Sequence, residues 1–169
     1  MHSSKLAPVQ TAILTVSTTL ARGEGDDVSG DLLAQLATEA GCEVVARGVV
    51  ADDKGRIEPA LRGYVRSGVP LVFTTGGTGL TPDDVTPEAT RAVIDREAPG
   101  FAEALRAESL KHTPLGILSR GVSGIGGRTL IVNLPGNPKA IAQLFPVLVP
   151  TLRHVVATLT RDGGRSGSH

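Results

Sequence analysis

Apolar residues along the chain form two kinds of pattern, short continuous runs and helical spacings. Short runs at residues 11–17, 43–50 and 70–74 predict three buried strands. Over residues 29–40 and 53–67, apolar residues recur every three or four positions and predict two helices. Ser29 is the expected N-cap of the first helix, and Gly41 should lie just beyond its end. This alternation over short links indicates right-handed βαβ units around a mostly parallel sheet.

Further helices are predicted in the second half of the chain. Thr86, followed by Pro87, is the expected N-cap of one helix, and a second extends from Phe101 to a stop at Thr113-Pro114. Asn137 begins the last helix, which two prolines, at 146 and 150, should kink or divide.

Two more runs of strand character lie between these helices. Residues 116–124 and 128–134 are separated by the Gly-rich turn at 125–127. A short turn between two runs is typical of a hairpin, so we expect at least one antiparallel pair. The complete pattern predicts an α/β fold whose sheet is mostly parallel, with at least one antiparallel strand.

Composition narrows the class of protein. The chain has 169 residues, 40% of them hydrophobic, which fits a single domain. Seventeen basic residues balance seventeen acidic ones, so no overall field attracts nucleic acid or an anionic membrane. We expect neither a secretory signal nor a run of about 20 apolar residues, and we predict a cytoplasmic protein. The single cysteine, Cys42, excludes an internal disulfide and is expected to be buried at a strand start.

The first loop with candidate chemistry follows the third strand and reads Thr74-Thr-Gly-Gly-Thr-Gly79. Glycines let a backbone approach a ligand and turn its N–H groups toward an anion, and threonine hydroxyls add donors. The loop lacks the spacing of a P-loop and of a dinucleotide-binding turn. Taken alone, it fits a phosphate site and a purely steric turn equally well.

Two acidic pairs also follow predicted strands. Asp52-Asp53 comes after the second strand, and Asp83-Asp84 comes after the third. Carboxylates from separate strand ends can converge on Mg²⁺, which combines one or two carboxylates with substrate phosphates. Each pair by itself is more typical of a solvated turn or a helix start. Their position after consecutive strands is what favours a magnesium site.

A third loop, Leu134-Pro-Gly-Asn-Pro138, joins the last predicted strand to the last helix. Gly136 permits close approach, and the free N–H groups of the helix that starts at Asn137 attract an anion. Ser119-Arg120 precedes this loop by one hairpin and could add a hydroxyl and a cation. The four histidines show no ligand spacing and are given no role.

Taken together, these motifs resemble the MogA/MoaB family of molybdopterin-binding proteins in order and spacing. The resemblance covers residues 11–159 and is carried by Thr74-Thr-Gly-Gly-Thr-Gly79, Asp84-Val-Thr-Pro-Glu-Ala-Thr90, Leu118-Ser-Arg120 and Asn133-Leu-Pro-Gly-Asn-Pro138. It implies a three-layer α/β/α domain over residues 11–160, between tails at 1–10 and 161–169. It also implies a trimer or hexamer that transfers AMP from Mg-ATP to molybdopterin and releases pyrophosphate.

The resemblance further implies roles for individual residues. Asp84 matches the catalytic carboxylate that binds Mg²⁺, and Asp52 matches the acidic residue after strand two, with Asp53 as the alternative register. The residues that match the pterin and nucleotide pocket and its phosphate-contacting loops are Gly76, Gly77, Thr78, Gly79, Ser119, Asn133, Pro135 and Gly136. The helix start at Asn137 would add N–H groups for a substrate phosphate.

The loop after strand one departs from the family pattern. Many members read Ser-Asp-Arg or Ser-Asn-Arg there, whereas this chain reads Ser17-Thr-Thr-Leu-Ala-Arg22, so Ser17 or Arg22 would have to bind substrate instead. The loop is closer to the MoaB branch, but the sequence does not separate the two branches. The alternative function is a non-catalytic carrier or scaffold that binds molybdopterin. A molybdenum-inserting protein is a candidate docking partner.

Overall fold

Six strands form one sheet in the computed structural model, which describes residues 7–161. They are β1 (Val9–Val16), β2 (Cys42–Val50), β3 (Leu71–Thr75), β4 (Arg96–Glu97), β5 (Ser123–Gly126) and β6 (Thr129–Leu134). Their spatial order is β2-β1-β3-β6-β5-β4. β2, β1, β3 and β6 run parallel, while β5 is antiparallel to both β6 and β4. The predicted sheet, mostly parallel with an antiparallel strand, is confirmed.

Helices cover both faces of this sheet. The α-helices of the described chain are α1 (Thr18–Ala21), α2 (Val28–Glu39), α3 (Lys54–Arg66), α4 (Thr86–Val93), α5 (Gly100–Leu110), α6 (Pro138–Leu148) and α7 (Leu152–Leu159). On one face, α3 and α4 bury Ile57, Leu61 and Ala89 against the strands. On the other face, α2, α5, α6 and α7 form the larger core. The three-layer α/β/α arrangement is therefore confirmed.

The central strands are buried on both sides, which explains why they read as unbroken apolar runs. All residues of β3 and β6 are buried. In the larger core, the rings of Phe73 on β3 and Phe145 on α6 pack edge to face with centroids 5.3 Å apart. Cys42, the first residue of β2, is buried as predicted, and burial raises the pKa of its thiol.

Several predicted boundaries are wrong. Strand β1 begins at Val9, two residues before the predicted start, and the predicted loop after it contains the one-turn helix α1. The N-cap of α2 is Asp27, whose carboxylate accepts the Gly30 N–H, and not Ser29. Thr86 lies inside α4, because Val85 occupies the N-cap position. The predicted tails at 1–10 and 161–169 lie largely outside the described residues.

The predicted strand at 116–124 is also wrong. Pro114–Leu118 forms a 3-10 helix capped by the Thr113 hydroxyl, and β5 begins only at Ser123. The two-residue edge strand β4 was not predicted. Pro150 lies in the short 3-10 helix Val149–Thr151, which divides α6 from α7 as expected, whereas α6 continues through Pro146.

One long helical segment, Pro138–Leu159, is apolar enough to cross a membrane by length and composition. Within this 22-residue segment an 18-residue window has a mean hydropathy of 1.4. Lys139, Gln143 and Arg153 interrupt the segment, so it is not a continuous run of about 20 apolar residues. In this fold the buried side chains of the segment belong to the larger core: Ile141, Leu144, Phe145, Leu148 and Leu152. Core helices pass the same test, so the segment is weak evidence for a membrane span.

Candidate functional site

Four loops meet at one edge of the sheet, because β1, β2, β3 and β6 are parallel and end there. The loops are residues 17–27, 51–53, 76–85 and 135–137. The chain places β2 on one side of β1 and β3 on the other. Ligands of open α/β sheets bind at such a switch in strand order, outside the carboxyl ends of the strands. The predicted site residues of all four loops therefore share one edge of the sheet.

The glycine loop after β3 adopts a backbone that other residues rarely take. Gly76 and Gly77 have φ angles of 98° and 71°, in the left-handed region. The Gly76 N–H donates to the Leu134 carbonyl, but the N–H groups of residues 77–79 reach no backbone acceptor within residues 7–161. These N–H groups are therefore available to an anion.

Loop 76–79 is held in place by its neighbours. Thr86, at the start of α4, donates its hydroxyl to the Gly76 carbonyl at 3.0 Å and its backbone N–H to the Gly77 carbonyl at 3.1 Å. On the other side, the Thr75 hydroxyl donates to the Pro135 carbonyl at 2.8 Å. A Cβ built at Gly136 would lie 3.2 Å from Gly76 Cα, so the two loops are in direct contact.

Asp52 is half-buried at the end of β2 and faces the glycine loop. Its Oδ2 accepts the backbone N–H and the hydroxyl of Thr18, both at 3.0 Å. Its Oδ1 would lie 3.3 Å from a Cβ built at Gly77. The exposed neighbour Asp53 instead caps α3 by accepting the Gly55 N–H at 2.8 Å. The structure thus places Asp52 at the site and gives Asp53 a local structural contact.

Asp84 is half-buried and approaches the glycine loop at its far end. Its Oδ2 accepts the backbone N–H and the hydroxyl of Thr81. The same oxygen would lie 2.8 Å from a Cβ built at Gly79, so a side chain there would displace the carboxylate. The neighbouring Asp83 is exposed.

The two carboxylates suit Mg²⁺ by their chemistry. Both are hard oxygen donors beside a loop that offers N–H groups to phosphate. Within residues 7–161 there is no cluster of three or more His, Cys, Asp or Glu side chains able to hold a metal. A divalent ion would therefore need substrate phosphates and water besides Asp52 and Asp84, which is the usual way in which proteins bind Mg²⁺ with a nucleotide.

A cavity of 460 Å³ borders Thr78 and Gly79 of the glycine loop, between α5, the 3-10 helix Pro114–Leu118 and α6. This volume lies in the range of small-molecule sites. Six predicted site residues line it: Thr78, Gly79, Ser119, Asn133, Pro135 and Asn137. Asp52, Asp84, Ser17, Gly76, Gly77 and Gly136 are not among its lining residues.

Asn133 has a different environment from the one its predicted binding role suggests. It is 3% exposed, and its amide donates to the hydroxyls of Thr74 and Thr90, both at 3.0 Å. Its carbonyl oxygen accepts the Val122 N–H at 3.1 Å. Asn133 therefore joins β3, α4 and the segment before β5, and its polar atoms are engaged within the protein.

Ser17 also makes a local contact. Its hydroxyl caps α1 by accepting the Leu20 N–H at 3.3 Å, and Thr18, the next residue, is the one that bonds Asp52. Arg22 is exposed and ends α1.

Two cations of the cavity were missed by the sequence reasoning. Arg106 on α5 lines the cavity and donates to the Gly121 carbonyl at 2.7 Å. Lys139 lines it from the first turn of α6. A cation at a helix N-terminus opposes the helix dipole, and this could have drawn attention to Lys139. No local pattern marks Arg106.

Arg120 lies at the site, although not as a free cation. Its guanidinium pairs with Glu88 on α4, and the hydrogen bond between them holds the pKa of Glu88 below its ordinary value. The same bond raises the pKa of Arg120. The pair is therefore charged throughout the neutral pH range.

Comparison with known proteins identifies the relatives of this chain. A model of the family described as "Probable molybdopterin binding domain" matches residues 12–154. A protein of Helicobacter pylori (strain J99) named molybdopterin adenylyltransferase is 36% identical over 151 residues, which is 88% of this chain and 86% of that protein. The molybdenum cofactor synthesis protein cinnamon of Drosophila melanogaster is 40% identical over 153 residues, 89% of this chain. That match spans only 25% of cinnamon.

A solved structure agrees with this similarity. The molybdopterin biosynthesis enzyme MoaB of Thermus thermophilus superposes with a TM-score of 0.84 and 43% sequence identity. The match covers 90% of this chain and 96% of the Thermus chain. The similarity therefore extends over the sheet, both helical layers and the loops at the sheet edge.

Proposed function

The chain belongs to the family of molybdopterin-binding domains, and from that membership we propose that it is a molybdopterin adenylyltransferase of molybdenum cofactor biosynthesis. The reaction joins AMP from ATP to molybdopterin and releases pyrophosphate. The observation that carries this proposal is the position of Asp52 and Asp84 against opposite ends of one glycine loop, whose N–H groups are free of backbone acceptors. The name and coverage of the Helicobacter relative support the same reaction.

In this proposal the cavity and the glycine loop bind different parts of the substrates. The cavity takes an organic ring of a substrate, with its apolar wall from α5 and α6 and positive charge from Arg106 and Lys139. The phosphate chain lies along residues 77–79, where backbone N–H groups face it. The helix start at Asn137 adds further N–H donors.

Catalysis then rests on positioning and charge neutralisation. A terminal phosphate oxygen of molybdopterin attacks the α-phosphorus of ATP, the new P–O bond forms, and the bond to pyrophosphate breaks. Mg²⁺ supplies neutralising charge when bound, and Asp52 and Asp84 are the residues that would hold it. Because the attacking phosphate is already ionised, no side chain has to remove a proton. Preorganised donors of this kind stabilise the charge of the transition state without reorganising.

The test is product formation from Mg-ATP and molybdopterin by four variants. Asp52→Asn and Asp84→Asn keep a side-chain oxygen for Thr18 and Thr81 but lose the negative charge. We expect them to lower kcat/KM by roughly 10²-fold or more, the size of effect that loss of one electrostatic stabiliser produces. Binding of molybdopterin should largely survive.

Matched controls come from the adjacent exposed carboxylates. Asp53→Asn preserves the helix cap, since Asn caps as well as Asp, and Asp83→Asn changes the neighbour of Asp84. Both should keep wild-type activity. If the controls lose as much activity as the site variants, the carboxylates have no separate role and the metal-binding proposal is wrong.

The competing function is a carrier or scaffold that binds molybdopterin without catalysis. The family's occurrence within a longer protein, cinnamon, is the observation that favours it. A carrier has no need for Mg²⁺-dependent ATP binding, so calorimetric titration with ATP, with and without Mg²⁺, separates the two functions. A wild-type protein that binds molybdopterin but neither ATP nor Mg-ATP would support the carrier.

The proposal includes a cytoplasmic homo-oligomer, a trimer or a hexamer. Several large apolar side chains near α5 and the 3-10 helix are exposed in the single chain, including Leu115 and Ile117, which are 66% and 71% exposed. Contiguous exposed apolar surface marks protein interfaces. Light scattering coupled to gel filtration measures the mass directly, and a monomer at all concentrations would contradict this part of the proposal.

A further inference from the structure

We propose that Arg120 is a positioning residue that fixes the loop carrying Asp84, so that the carboxylate is held ready for a metal-bound phosphate. This inference rests on the proposed function. It concerns a residue that the mechanism above does not use, and it follows from the hydrogen bonds that Arg120 makes to one loop.

Arg120 contacts the 78–84 loop at both of its ends. Its backbone N–H donates to the Thr78 carbonyl at 2.9 Å, and its Nε donates to the Gly79 carbonyl at 2.8 Å. Its Nη2 donates to the Asp84 carbonyl at 2.6 Å. One guanidinium therefore joins the residue that precedes the turn at 80–83 to the residue that follows it.

The turn has little other support. Residues 80–83 are exposed, and Leu80, the one large apolar side chain among them, is 64% exposed. Asp84 Oδ2 bonds back to Thr81, which is a contact within the loop and not one that anchors it. Loops with few buried contacts open at low cost. Asp84 is therefore held from two directions: Val85, the next residue, packs against the core beside α3 and α4, and the bonds from Arg120 tie Asp84 to Gly79 across the exposed turn.

The arrangement also leaves the charge of Asp84 available. Arg120 bonds the backbone carbonyl of Asp84, while its ion-pair partner is the carboxylate of Glu88. Glu88 on α4 orients the guanidinium. Arg120 therefore holds the loop through backbone carbonyls and makes no direct bond to the Asp84 carboxylate, which the metal needs. Arginine suits this task because its planar fork donates in several fixed directions, which a lysine ammonium does not reproduce.

The test compares Arg120→Lys with a matched control at a position on α3. Arg62 also pairs with a glutamate, Glu58, and donates to a backbone carbonyl, that of Ala92 at 2.8 Å. It lies on α3, away from the 78–84 loop. Arg62→Lys therefore removes the same kind of guanidinium contacts without touching the loop.

Three measurements are made on both variants and on the wild type. Hydrogen exchange of peptides covering residues 78–85 reports loop opening, and Mn²⁺ titration followed by EPR in the presence of ATP reports metal binding. Product formation at varied Mg²⁺ concentration reports catalysis. We expect Arg120→Lys to exchange faster in this loop and to bind Mn²⁺ roughly 10- to 100-fold more weakly, as is usual when the support of a metal ligand is lost.

The control and a milder variant, Glu88→Gln, complete the design. Arg62→Lys should match the wild type in all three measurements. Glu88→Gln keeps an acceptor for the guanidinium and should lose less Mn²⁺ affinity than Arg120→Lys. A purely structural role would lower thermal stability and leave the Mn²⁺ affinity of the folded protein unchanged.

The outcomes separate this inference from the proposed function. If Arg120→Lys shows the same hydrogen exchange and the same Mn²⁺ affinity as the wild type, the positioning role is overturned, even if the wild type forms product. A wild type that binds Mn²⁺ with ATP but forms no product would overturn the transferase, while loss of Mn²⁺ binding in Arg120→Lys would still support the inference. A wild type that binds no Mn²⁺ with ATP would overturn both.

Discussion

Gly76→Ala is the substitution for which the structure gives the clearest energetic expectation. Gly76 has a φ angle of 98°, and a Cβ there would overlap the backbone carbonyl oxygen of Val16 at the end of β1. The left-handed backbone costs about 1–2 kcal/mol for a residue with a Cβ. Overpacking against fixed neighbours costs about 1–3 kcal/mol more. Since a strand carbonyl cannot rotate away as a side chain can, we expect a total loss of about 2–5 kcal/mol.

The matched control is Gly63→Ala in α3. Gly63 has no atom within 4 Å of a built Cβ, and its φ is not in the left-handed region. Alanine in a helix interior should stabilise the fold by about 0.5–1 kcal/mol relative to glycine. The two variants add the same methyl group, so they are expected to change stability in opposite directions.

The assay is urea unfolding followed by far-UV circular dichroism, because the chain contains no Trp. Protein concentration is kept equal, since any oligomer makes apparent stability depend on it. For a chain of this size the expected loss corresponds to a fall of roughly 5–15 °C in Tm. A Gly76→Ala protein within about 0.5 kcal/mol of the wild type, the usual range for surface substitutions, would refute the close backbone packing of the glycine loop.

Three further substitutions test the packing and the electrostatics. Phe145→Ala removes a ring that is 1% exposed and stacked edge-on against Phe73, so calorimetry should show a loss of about 3–5 kcal/mol. Asn133→Ala leaves the buried Val122 N–H without its acceptor, and urea unfolding should show a loss of about 1–3 kcal/mol. Glu88→Gln should cost at most about 1 kcal/mol, because the pair with Arg120 is solvent-exposed. Since the pKa of Glu88 is lowered from 4.5, the difference from wild type should be present above that pH and disappear as pH falls through the folded pKa. A difference that grows in acid would contradict that assignment.

The parallel half of the sheet could be predicted because its strands and helices have clear periods. Strands β1, β2 and β3 read as apolar runs and match within two residues at each end. The strand predicted at 116–124 is wrong because the prediction assumed that its apolar residues are buried. In the structure Ile117 and Leu118 of this run are exposed on a 3-10 helix, where the single chain offers them no core.

Choices that depend on tertiary partners could not be made from sequence. Thr86 has the residue type of an N-cap, but its hydroxyl donates to the Gly76 carbonyl ten residues away. Asp52 and Asp53 are chemically equivalent in the sequence, and only the structure distinguishes them, because Asp52 bonds Thr18 whereas Asp53 caps α3. Thr18 stands in the loop where the family's usual charged residue is missing. The residue at which this chain departs from the family pattern therefore donates hydrogen bonds directly to Asp52, a predicted catalytic carboxylate.

The glycine motif and the acidic motif are each weak evidence alone, but the contacts of the glycine loop show how they belong to one site. Each of its glycines excludes a side chain for a different reason. At Gly76 a Cβ would meet the strand carbonyl of Val16, at Gly77 it would meet the Thr86 hydroxyl, and at Gly79 it would meet the Asp84 carboxylate. At Gly76 and Gly77 a positive φ also favours glycine, whereas Gly79 has no positive φ. The need for glycine at position 79 comes from the carboxylate instead, so the Gly-rich motif and the acidic motif depend on each other in space.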